Sequence, residues 1–474
     1  MTTQATLPLE RLYHWESTTP DRVFLRQRSS GEFVDLTWRE VAARVRRAAA
    51  MLRDLVPEPG SRIAISSKNC ADWFIADLAI MMAGHVSVPL YPGVAVDTMR
   101  YILEHADVKL AFFGPTDNVT DLVDATPDGI PTVGIHACPA PTDMRLASLL
   151  EEHEPLEGKP CPDPDFIFTL MYTSGTTGRP KGVMHALSTV AFAVPDYLEN
   201  WSFTQETRFF SYLPLAHAAE RIIVEMNSLY SGGTVAFAES LDTFADDLRA
   251  ARPTIFFSVP RLYRKFKDGV ETKFPPKLLR TLLRVPLIGP RLRLRILDGL
   301  GLDQCIHWIT GSAPTPADVH AWYERLGVML RDGYGMTENF IYGCIAQGDI
   351  QVPGSVGTVF GRGEGRISEE GEILFRSGAL MKGYYRDAEK TAETLRGGWL
   401  HTGDKGRIDD AGNVFVTGRI ADTFKTQKGK FIDPAQIEDR CGGFTLVEQV
   451  CVLGHGLEQP VAIGVLAPDA AERP

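Results

Sequence analysis

The sequence carries few of the signals that assign a protein to a class. It has only seven cysteines in 474 residues and no CxxC pair, so neither a disulfide framework nor a zinc site is indicated. Its first thirty residues contain charged side chains and prolines but no apolar run resembling a signal peptide. These absences predict a protein of a reducing, cytoplasmic compartment.

Long hydrophobic runs and clustered charge of one sign are also scarce. The longest apolar stretch, residues 73–83, is interrupted by Asp77 and has about half the length needed to cross a bilayer, which predicts a buried helix. The formal net charge is −11, and most Lys and Arg residues are scattered. Nucleic acid is therefore not an expected partner.

One stretch departs from this charge pattern. Residues 277–295 carry Leu and Arg at helical spacing and are broken by Pro286 and Pro290. Two interpretations stay open: an amphipathic helix in peripheral contact with an anionic membrane, or a solvated helix pair that caps a core. The sequence favours the helix pair.

The order of apolar segments indicates the fold class. Between residues 61 and 113, β-rich runs alternate with helical patterns over 71–83 and 97–106, and the alternation resumes at residue 165. Such alternation predicts parallel sheets with crossover helices. After residue 345 the chain changes to short strands with Gly-rich turns, which predicts a small β unit.

The strongest local motif is YTSGTTGRPKG, residues 172–182, directly after an apolar strand. Its hydroxyls, glycine N–H groups and lysine suit a polyphosphate, although a flexible Gly/Thr surface loop is the alternative interpretation. The pattern GxxxxGK[ST] is absent, so a kinase or GTPase loses its main support. The candidate phosphate-binding residues are Thr173, Ser174, Gly175, Thr176, Thr177, Gly178 and Lys181.

Five further motifs follow this loop and complete a recognisable set. Together the six motifs, spread over residues 30–465, resemble the adenylate-forming acyl-CoA synthetases, and the wording is closest to the long-chain branch. The five are SYLPLAHAAER (211–221), GSAPTP (311–316), DGYGMTEN (332–339), HTGDKG (401–406) and GRIADTFKTQKGKFIDPAQIE (418–438).

This resemblance implies an α/β architecture and a two-step ligase. The implied fold is a large N-terminal lobe, residues 1–417, of two α/β sheet subdomains plus a small β-barrel-like subdomain. A hinge at 418–422 and the start of an α+β C-terminal domain, 423–474, follow. The implied reaction uses Mg²⁺ and ATP to convert a long- or medium-chain fatty acid into acyl-AMP, and then transfers the acyl group to coenzyme A. Long-chain relatives are often homodimers.

The resemblance also implies roles for individual residues around the nucleotide. Lys181 and the loop hydroxyls would hold the β- and γ-phosphates, Tyr334 would stack on adenine, and Thr337 would bind the α-phosphate. Glu338 and Thr173 would ligate Mg²⁺, which prefers oxygen ligands. The remaining residues implied near the nucleotide are Gly311, Ser312, Ala313, Gly333, Gly335 and Met336.

Two charged residues are implied at the ribose. Asp404 would accept hydrogen bonds from the two ribose hydroxyls, because a fixed carboxylate suits a vicinal diol. Arg419 would approach the ribose at the hinge. The alternative interpretation of the segment around Asp404 is a simple turn.

His217 resembles the family histidine at the mouth of the acyl pocket, with a buried core histidine as the alternative. Residues 220–230 and 333–342, being apolar and adjacent to the motifs, are expected to wall the acyl tunnel. Lys425 matches the long-chain branch in the segment that approaches the active site during thioester formation, and it is a candidate catalytic residue.

The sequence departs from the family pattern at two places. Ala421 stands where the family usually has Lys or Asp at the hinge, which bears on domain rotation. The family's C-terminal domain continues well past the equivalent of Pro474 and carries a catalytic lysine, so the chain as given is expected to adenylate slowly.

Two other functions remain open. A ligase of the same family could pass its adenylate to a carrier-protein thiol or another nucleophile, and the nucleotide motifs do not separate the two. A non-catalytic acyl- or nucleotide-binding protein is the second alternative.

Overall fold

The structure is a computed structural model, and it describes residues 6–173, 179–348, 350–428, 430–432, 434, 437–438, 441, 447–454 and 457–466. All seven cysteines are free. No helix in these ranges combines the length and the apolar character that a membrane crossing requires.

The helices and strands follow one another along the chain in four groups. From Pro8 to Glu152 they are α1 (Pro8–Thr18), β1 (Val23–Ser29), β2 (Glu32–Thr37), α2 (Trp38–Leu55), β3 (Arg62–Ser66), α3 (Ala71–Ala83), β4 (Val86–Leu90), α4 (Val96–Ala106), β5 (Val108–Phe113), α5 (Val119–Asp124), β6 (Thr132–Gly134), β7 (Met144–Arg145) and α6 (Leu146–Glu152). From Ile167 to Ser258 they are β8 (Ile167–Thr173), β9 (Lys181–Ala186), α7 (Leu187–Trp201), β10 (Arg208–Ser211), α8 (Ala218–Glu220), a π-helical segment (Arg221–Met226), α9 (Asn227–Ser231), β11 (Thr234–Phe237), α10 (Phe244–Ala251) and β12 (Ile255–Ser258).

The second half of the chain contains the other two groups. From Pro260 to Ile345 they are α11 (Pro260–Lys273), α12 (Pro276–Arg284), α13 (Ile288–Gly299), β13 (His307–Thr310), α14 (Ala317–Arg325), β14 (Leu330–Tyr334), a 3₁₀ turn (Thr337–Asn339) and β15 (Cys344–Ile345). From Thr358 onward they are β16 (Thr358–Val359), β17 (Glu364–Ile367), β18 (Glu372–Arg376), β19 (Gly383–Tyr384), α15 (Ala388–Thr394), β20 (Leu395–Arg396), β21 (Trp399–Ile408), β22 (Val414–Arg419), β23 (Phe424–Lys425), β24 (Phe431–Ile432), β25 (Val447–Leu453) and β26 (Val461–Leu466).

An eight-stranded sheet forms the first α/β unit, in the order β19-β9-β8-β4-β3-β5-β6-β7. Its strands are parallel from β8 to β7, and β9 is antiparallel to both β8 and β19. The crossover helix α3 joins β3 to β4, as the sequence predicted, and it ends at Gly84, whose φ of 82° suits glycine. Every α3 residue but Asp72 is buried, which explains why the helix is predominantly apolar.

A second α/β unit contains a four-stranded sheet, β10-β11-β1-β2, and a five-stranded sheet, β12-β13-β14-β15-β16. The Thr254 N–H donates to the Arg208 carbonyl (2.9 Å) and links the edges of the two sheets. The sequence predicted two α/β units, and both are present. It did not indicate that β1 lies parallel to β11, with Leu25 opposite Val235, because that pairing joins distant parts of the chain.

Two helix predictions need adjustment. The helix predicted near 185–200 begins at Leu187, because the preceding residues extend β9 as far as Ala186. The helix predicted over 220–230 is present, but Arg221–Met226 within it is π-helical. A π-helical turn is typical of functional regions and changes which side chains face inward.

The β unit that the sequence predicted after residue 345 is an open five-stranded sheet. Strand β21 pairs with β18, β20 and β22, and β17 pairs with β18. Within the described residues it does not close into a barrel. Two further hairpins, β23–β24 and β25–β26, follow it. The α/β class with a small β unit is confirmed.

The basic stretch forms the helix pair α12 and α13. Leu279, Leu283 and Ile296 are buried in a core cluster that also contains Trp308 and Trp322. The prediction of a helix pair that caps a core is therefore confirmed.

Candidate active site

A cavity of about 930 Å³ lies where the ends of several strands meet. Strands β12, β13 and β14 are parallel neighbours, and Phe257, Thr310 and Tyr334 at their carboxyl ends all line the cavity. In open α/β sheets, ligands bind at this edge because connecting loops and helix termini converge there. The topology therefore marks this cavity as the candidate site.

Most of the residues proposed from the motifs come together in this cavity. Ala313 and Lys425 are exposed and lie outside its lining, and the buried Asp404 also lies outside it. The predictions for Ser174, Gly175, Thr176, Thr177 and Gly178 fall outside the described residues. The proposed residues that line the cavity are Thr173, Lys181, His217, Gly311, Ser312, Gly333, Tyr334, Gly335, Met336, Thr337, Glu338 and Arg419.

Lys181 and Glu338 are connected through a third side chain. The Tyr384 hydroxyl donates to Glu338 Oε1 (2.7 Å), and the Lys181 ammonium lies 5.8 Å from the centre of the Tyr384 ring. Strand β19, which carries Tyr384, pairs with β9, which begins at Lys181. A cation on β9 and a carboxylate in the 3₁₀ turn thus share one wall of the cavity, with Tyr384 of β19 in contact with both.

A second polar group surrounds Asp404. The Tyr334 hydroxyl donates to Asp404 Oδ2 (2.5 Å), and Arg419 Nε lies 3.3 Å from Asp404 Oδ1. Asp404 and Arg419 face each other across the β21–β22 pair. Burial raises the pKa of the Asp404 carboxyl, and the Tyr334 hydroxyl and the Arg419 guanidinium oppose that rise. The three side chains form one hydrogen-bonded unit beside the cavity.

The backbone of Thr337 is fixed by a buried histidine. His185 Nε2 lies 2.7 Å from the Thr337 carbonyl oxygen, and burial lowers the pKa of His185 to about 4. The imidazole is therefore neutral near pH 7, with its proton on Nε2, where it donates to that carbonyl. His185 holds the segment that carries Thr337 and Glu338.

His217 lines the cavity as a neutral imidazole. Its Nδ1 accepts a hydrogen bond from the Ala219 N–H (3.0 Å), and burial lowers its pKa. Since Nδ1 accepts, the ring proton is on Nε2. Tyr91 packs edge-on against the ring at 6.5 Å. The histidine can therefore donate one hydrogen bond to a ligand.

The other part of the cavity is apolar. Tyr197 packs against Phe360 (ring centres 4.5 Å apart) and against Trp201 (6.1 Å), and Trp201 stacks on His307 (5.5 Å). The expected tunnel walls contribute apolar side chains: Ile223 comes from 220–230, and Ile341 comes from 333–342. An aromatic and aliphatic pocket suits a hydrocarbon chain.

Within the described residues, no group of three or more His, Cys, Asp or Glu side chains is arranged to hold a metal ion. Mg²⁺ does not need such a cage, since it usually binds one or two protein carboxylates plus substrate phosphates and water. Glu338, with one oxygen held by Tyr384, fits this mode of binding.

Several residues of the site have no motif signal in the sequence. Tyr384 and His185 reach Glu338 and Thr337 through pairings of strands and segments far apart in the chain. Trp201 ends a helix that the sequence assigned no role in binding. Their positions follow from the tertiary structure, and no local spacing could reveal them.

Proteins similar to this chain in sequence include long-chain-fatty-acid–CoA ligases. The chain is 28% identical over 516 residues to the long-chain-fatty-acid–CoA ligase FadD15 of Mycobacterium tuberculosis. The alignment covers 97% of this chain and 82% of that protein. It is 30% identical over 477 residues to the long-chain-fatty-acid–CoA ligase 5 of Rattus norvegicus, covering 88% of this chain and 68% of that protein.

Solved structures share the fold at lower identity. The A domain of the carboxylic acid reductase from Segniliparus rugosus, in complex with AMP and a co-purified carboxylic acid, has a TM-score of 0.81 at 23% identity and covers 99% of this chain and 83% of that one. The ATP-bound RpMatB-BxBclM chimera B1 has a TM-score of 0.80 at 24% identity, covering 98% and 89%. A family model described as AMP-binding enzyme matches residues 12–385, and the chain belongs to this family.

Proposed function

We propose that the protein is an AMP-forming acyl-CoA synthetase that activates a long- or medium-chain fatty acid. The observation that carries the proposal is a single cavity with Lys181, Glu338 and Arg419 among its polar lining and the Tyr197–Trp201 aromatic cluster among its apolar lining. A fatty acid has the same two-part chemistry, since its carboxylate must meet ATP while its chain leaves water. The relatives with long-chain-fatty-acid ligase names support this substrate class.

The proposed first step joins the acid to the nucleotide. A carboxylate oxygen attacks the α-phosphorus of ATP, the bond to the β-phosphate oxygen breaks, and pyrophosphate leaves. The protein's contribution is to hold the two anions together and to neutralise their charge. Lys181 would bind the phosphates, and His217 would donate from Nε2 to the carboxylate.

The nucleotide and metal would be held by the polar groups. Asp404 would accept the ribose hydroxyls, with Arg419 beside it and Tyr334 against the base. Glu338 and Thr173 would hold Mg²⁺, which supplies neutralising charge on the phosphates when bound. His185 would act as a positioning residue, since it fixes the Thr337 carbonyl.

In the second step, the thiol of coenzyme A would attack the acyl carbonyl, and AMP would leave as the carbon–oxygen bond breaks. The proposed boundaries, a lobe at 1–417, a hinge at 418–422 and a following domain, put Arg419 at the start of the hinge. Because Arg419 pairs with Asp404, rotation there would couple domain position to the nucleotide.

The test is carboxylate-dependent exchange of labelled pyrophosphate into ATP, with fatty acids of increasing length. We expect exchange with long and medium chains, and thioester formation when free coenzyme A is added. Lys181→Ala should slow exchange by about a hundredfold to a thousandfold, as loss of a positioned charge does. Lys382→Ala is the matched control, because Lys382 lies outside the cavity lining and pairs with Asp165.

Other outcomes would replace the proposal. Exchange without thioester formation from free coenzyme A would indicate a carrier protein or another nucleophile as the acceptor. Tight binding of an acyl-AMP analogue with no exchange for any acid would indicate a non-catalytic binding protein. Equal losses in Lys181→Ala and Lys382→Ala would contradict the role of Lys181.

A further inference from the structure

The helices α12 and α13, residues 276–299, form a surface element that we call the basic hairpin. Between Glu271 and Asp298 the sequence has no acidic residue, whereas the chain as a whole has a net charge of −11. The basic hairpin is therefore positively charged, although the chain as a whole is negatively charged. The cationic residues in that interval are Lys273, Lys277, Arg280, Arg284, Arg291, Arg293 and Arg295.

The basic hairpin also exposes large apolar side chains. Its inner face is buried through Leu279, Leu283 and Ile296, so the hairpin is anchored on the protein core. The outer side nevertheless presents hydrophobic residues to solvent. Their exposed fractions are 50% for Leu278, 75% for Leu287, 47% for Ile288 and 60% for Leu294.

The turn between the two helices presents its leucine at a conformational cost. Leu287 has φ of 69°, a region in which a glycine would be unstrained, yet the residue is a leucine and three-quarters exposed. Its neighbour Ile288 is also exposed. Neither the core packing nor the turn geometry accounts for two adjacent large apolar residues at this tip.

The exposed cations of the basic hairpin form no ion pair in the part of the chain that the structure describes. Among the described residues, no carboxylate forms an ion pair with Lys277, Arg280, Arg284, Arg291 or Arg295, although many other surface cations of the chain are paired. Helical spacing puts Lys277, Arg280 and Arg284 on one face of α12. Their positive charge is therefore available to an external anion.

We propose that the basic hairpin docks the protein on an anionic lipid bilayer. Cations would lie at the headgroups while Leu287 and Ile288 enter the boundary with the acyl chains, the arrangement found for interfacial amphipathic helices. Duplex nucleic acid would use the cations but not the apolar tip. The inference goes beyond the proposed function, because docking requires no turnover.

The experiment measures binding of the full chain to vesicles of phosphatidylcholine, alone or mixed with phosphatidylglycerol. We expect binding to the mixed vesicles only, weakening as salt is added. The charge variant Arg280→Gln/Arg284→Gln/Arg291→Gln should bind about a hundredfold more weakly, in line with the contribution of three cations at a membrane surface. The tip variant Leu287→Ser/Ile288→Ser should lose at least about tenfold.

Matched controls remove similar groups elsewhere. Lys159→Gln/Arg325→Gln/Arg407→Gln removes three exposed cations, and Leu241→Ser removes an exposed leucine, so both should bind vesicles like the original protein. None of the substituted residues lines the cavity. Pyrophosphate exchange with a water-soluble medium-chain acid should therefore be the same in all variants, and it reports correct folding.

The proposal is overturned by absence of binding to the mixed vesicles at low salt, or by equal losses in hairpin variants and controls. It is also overturned if duplex DNA binds as tightly as the vesicles and binds the tip variant as tightly as the original protein. Failure of exchange in the unsubstituted protein would remove the proposed function, while the vesicle measurements would still decide on the docking surface.

Discussion

Trp201 is a bulky side chain in the apolar part of the cavity lining. It ends α7, lines the cavity, and stacks on His307 with ring centres 5.5 Å apart and an angle of 20° between the planes. Phe203 packs against its edge at 5.5 Å. A bulky ring held on two sides cannot move aside for a longer chain.

Trp201→Ala should therefore shift the preferred fatty acid to longer chains. Each additional buried methylene is worth about 0.8 kcal/mol, so the preference between acids one carbon apart should change by up to about fourfold. The measurement is exchange rate against acyl chain length at a temperature where the variant is folded.

The matched control for Trp201 is Trp322→Ala. Trp322 is also buried but does not line the cavity, so its loss should cost similar stability, about 3–5 kcal/mol, without changing the chain-length profile. The same profile in Trp201→Ala, Trp322→Ala and the original protein would contradict a role for Trp201 in measuring chain length.

At the scale of elements, the π-helical segment Arg221–Met226 carries a charged side chain, Arg221, into the protein interior. Arg221 is fully buried, forms ion pairs with Asp77 of α3 and with Glu225 (3.3 Å), and donates to Thr169 Oγ1 of β8 (2.7 Å). Its guanidinium lies over the ring of Phe168. Burial, together with the nearby Asp77, raises the pKa of Glu225. One arginine thus connects a crossover helix, a central strand and the π-helical segment.

Arg221→Met should destabilise the protein strongly. Removing one partner of a buried ion pair leaves the other charges without compensation and typically costs about 3–5 kcal/mol of unfolding free energy. Denaturant unfolding measures it. Arg325→Met, at an exposed position of α14, is the control and should change the free energy by less than about 0.5 kcal/mol. A loss for Arg221→Met no larger than for this control would contradict the role of the buried network.

At the scale of the whole molecule, stability should depend on pH through Glu220. This carboxyl is buried, and burial raises its pKa to about 8, against the opposing effect of hydrogen bonds from the Ser211 hydroxyl and the Tyr212 N–H. The folded state therefore keeps a proton that the unfolded state releases near the ordinary glutamate pKa of 4.5. The stabilisation that this carboxyl contributes is fully present below pH 4.5 and is lost as the pH rises to about 8.

Glu220→Gln removes this titration while keeping an acceptor oxygen. The variant should gain stability relative to the original protein as pH rises through that window, by roughly 5 kcal/mol in total. Thermal and denaturant unfolding between about pH 5 and about pH 8 measure the gain. Glu324→Gln, at an exposed position, should give no such trend, and a flat difference for Glu220→Gln would refute the raised pKa.

Much of the architecture could be predicted from residue order. The last residue of α3 was predicted correctly because a largely apolar run of helical length that ends at a glycine is typical of a buried helix. Lys181 was identified because it belongs to a short phosphate-binding pattern, whereas Tyr334 and Glu338 were identified through the resemblance of the motif at 332–339 to the family. Boundaries at Leu187 and the π-helical segment were missed, since they depend on which partner a segment finds.

The sequence by itself determined the alternation of strands and helices, the set of nucleotide motifs and the unusual charge of residues 277–295, because these are properties of neighbouring residues. Only the tertiary structure decided that β1 joins β11, that Tyr384 and His185 support Glu338 and Thr337, and that Trp201 bounds the apolar pocket. Those contacts join residues far apart in the chain. Long-range pairing is selected by burial and packing of the whole molecule, which no local pattern encodes.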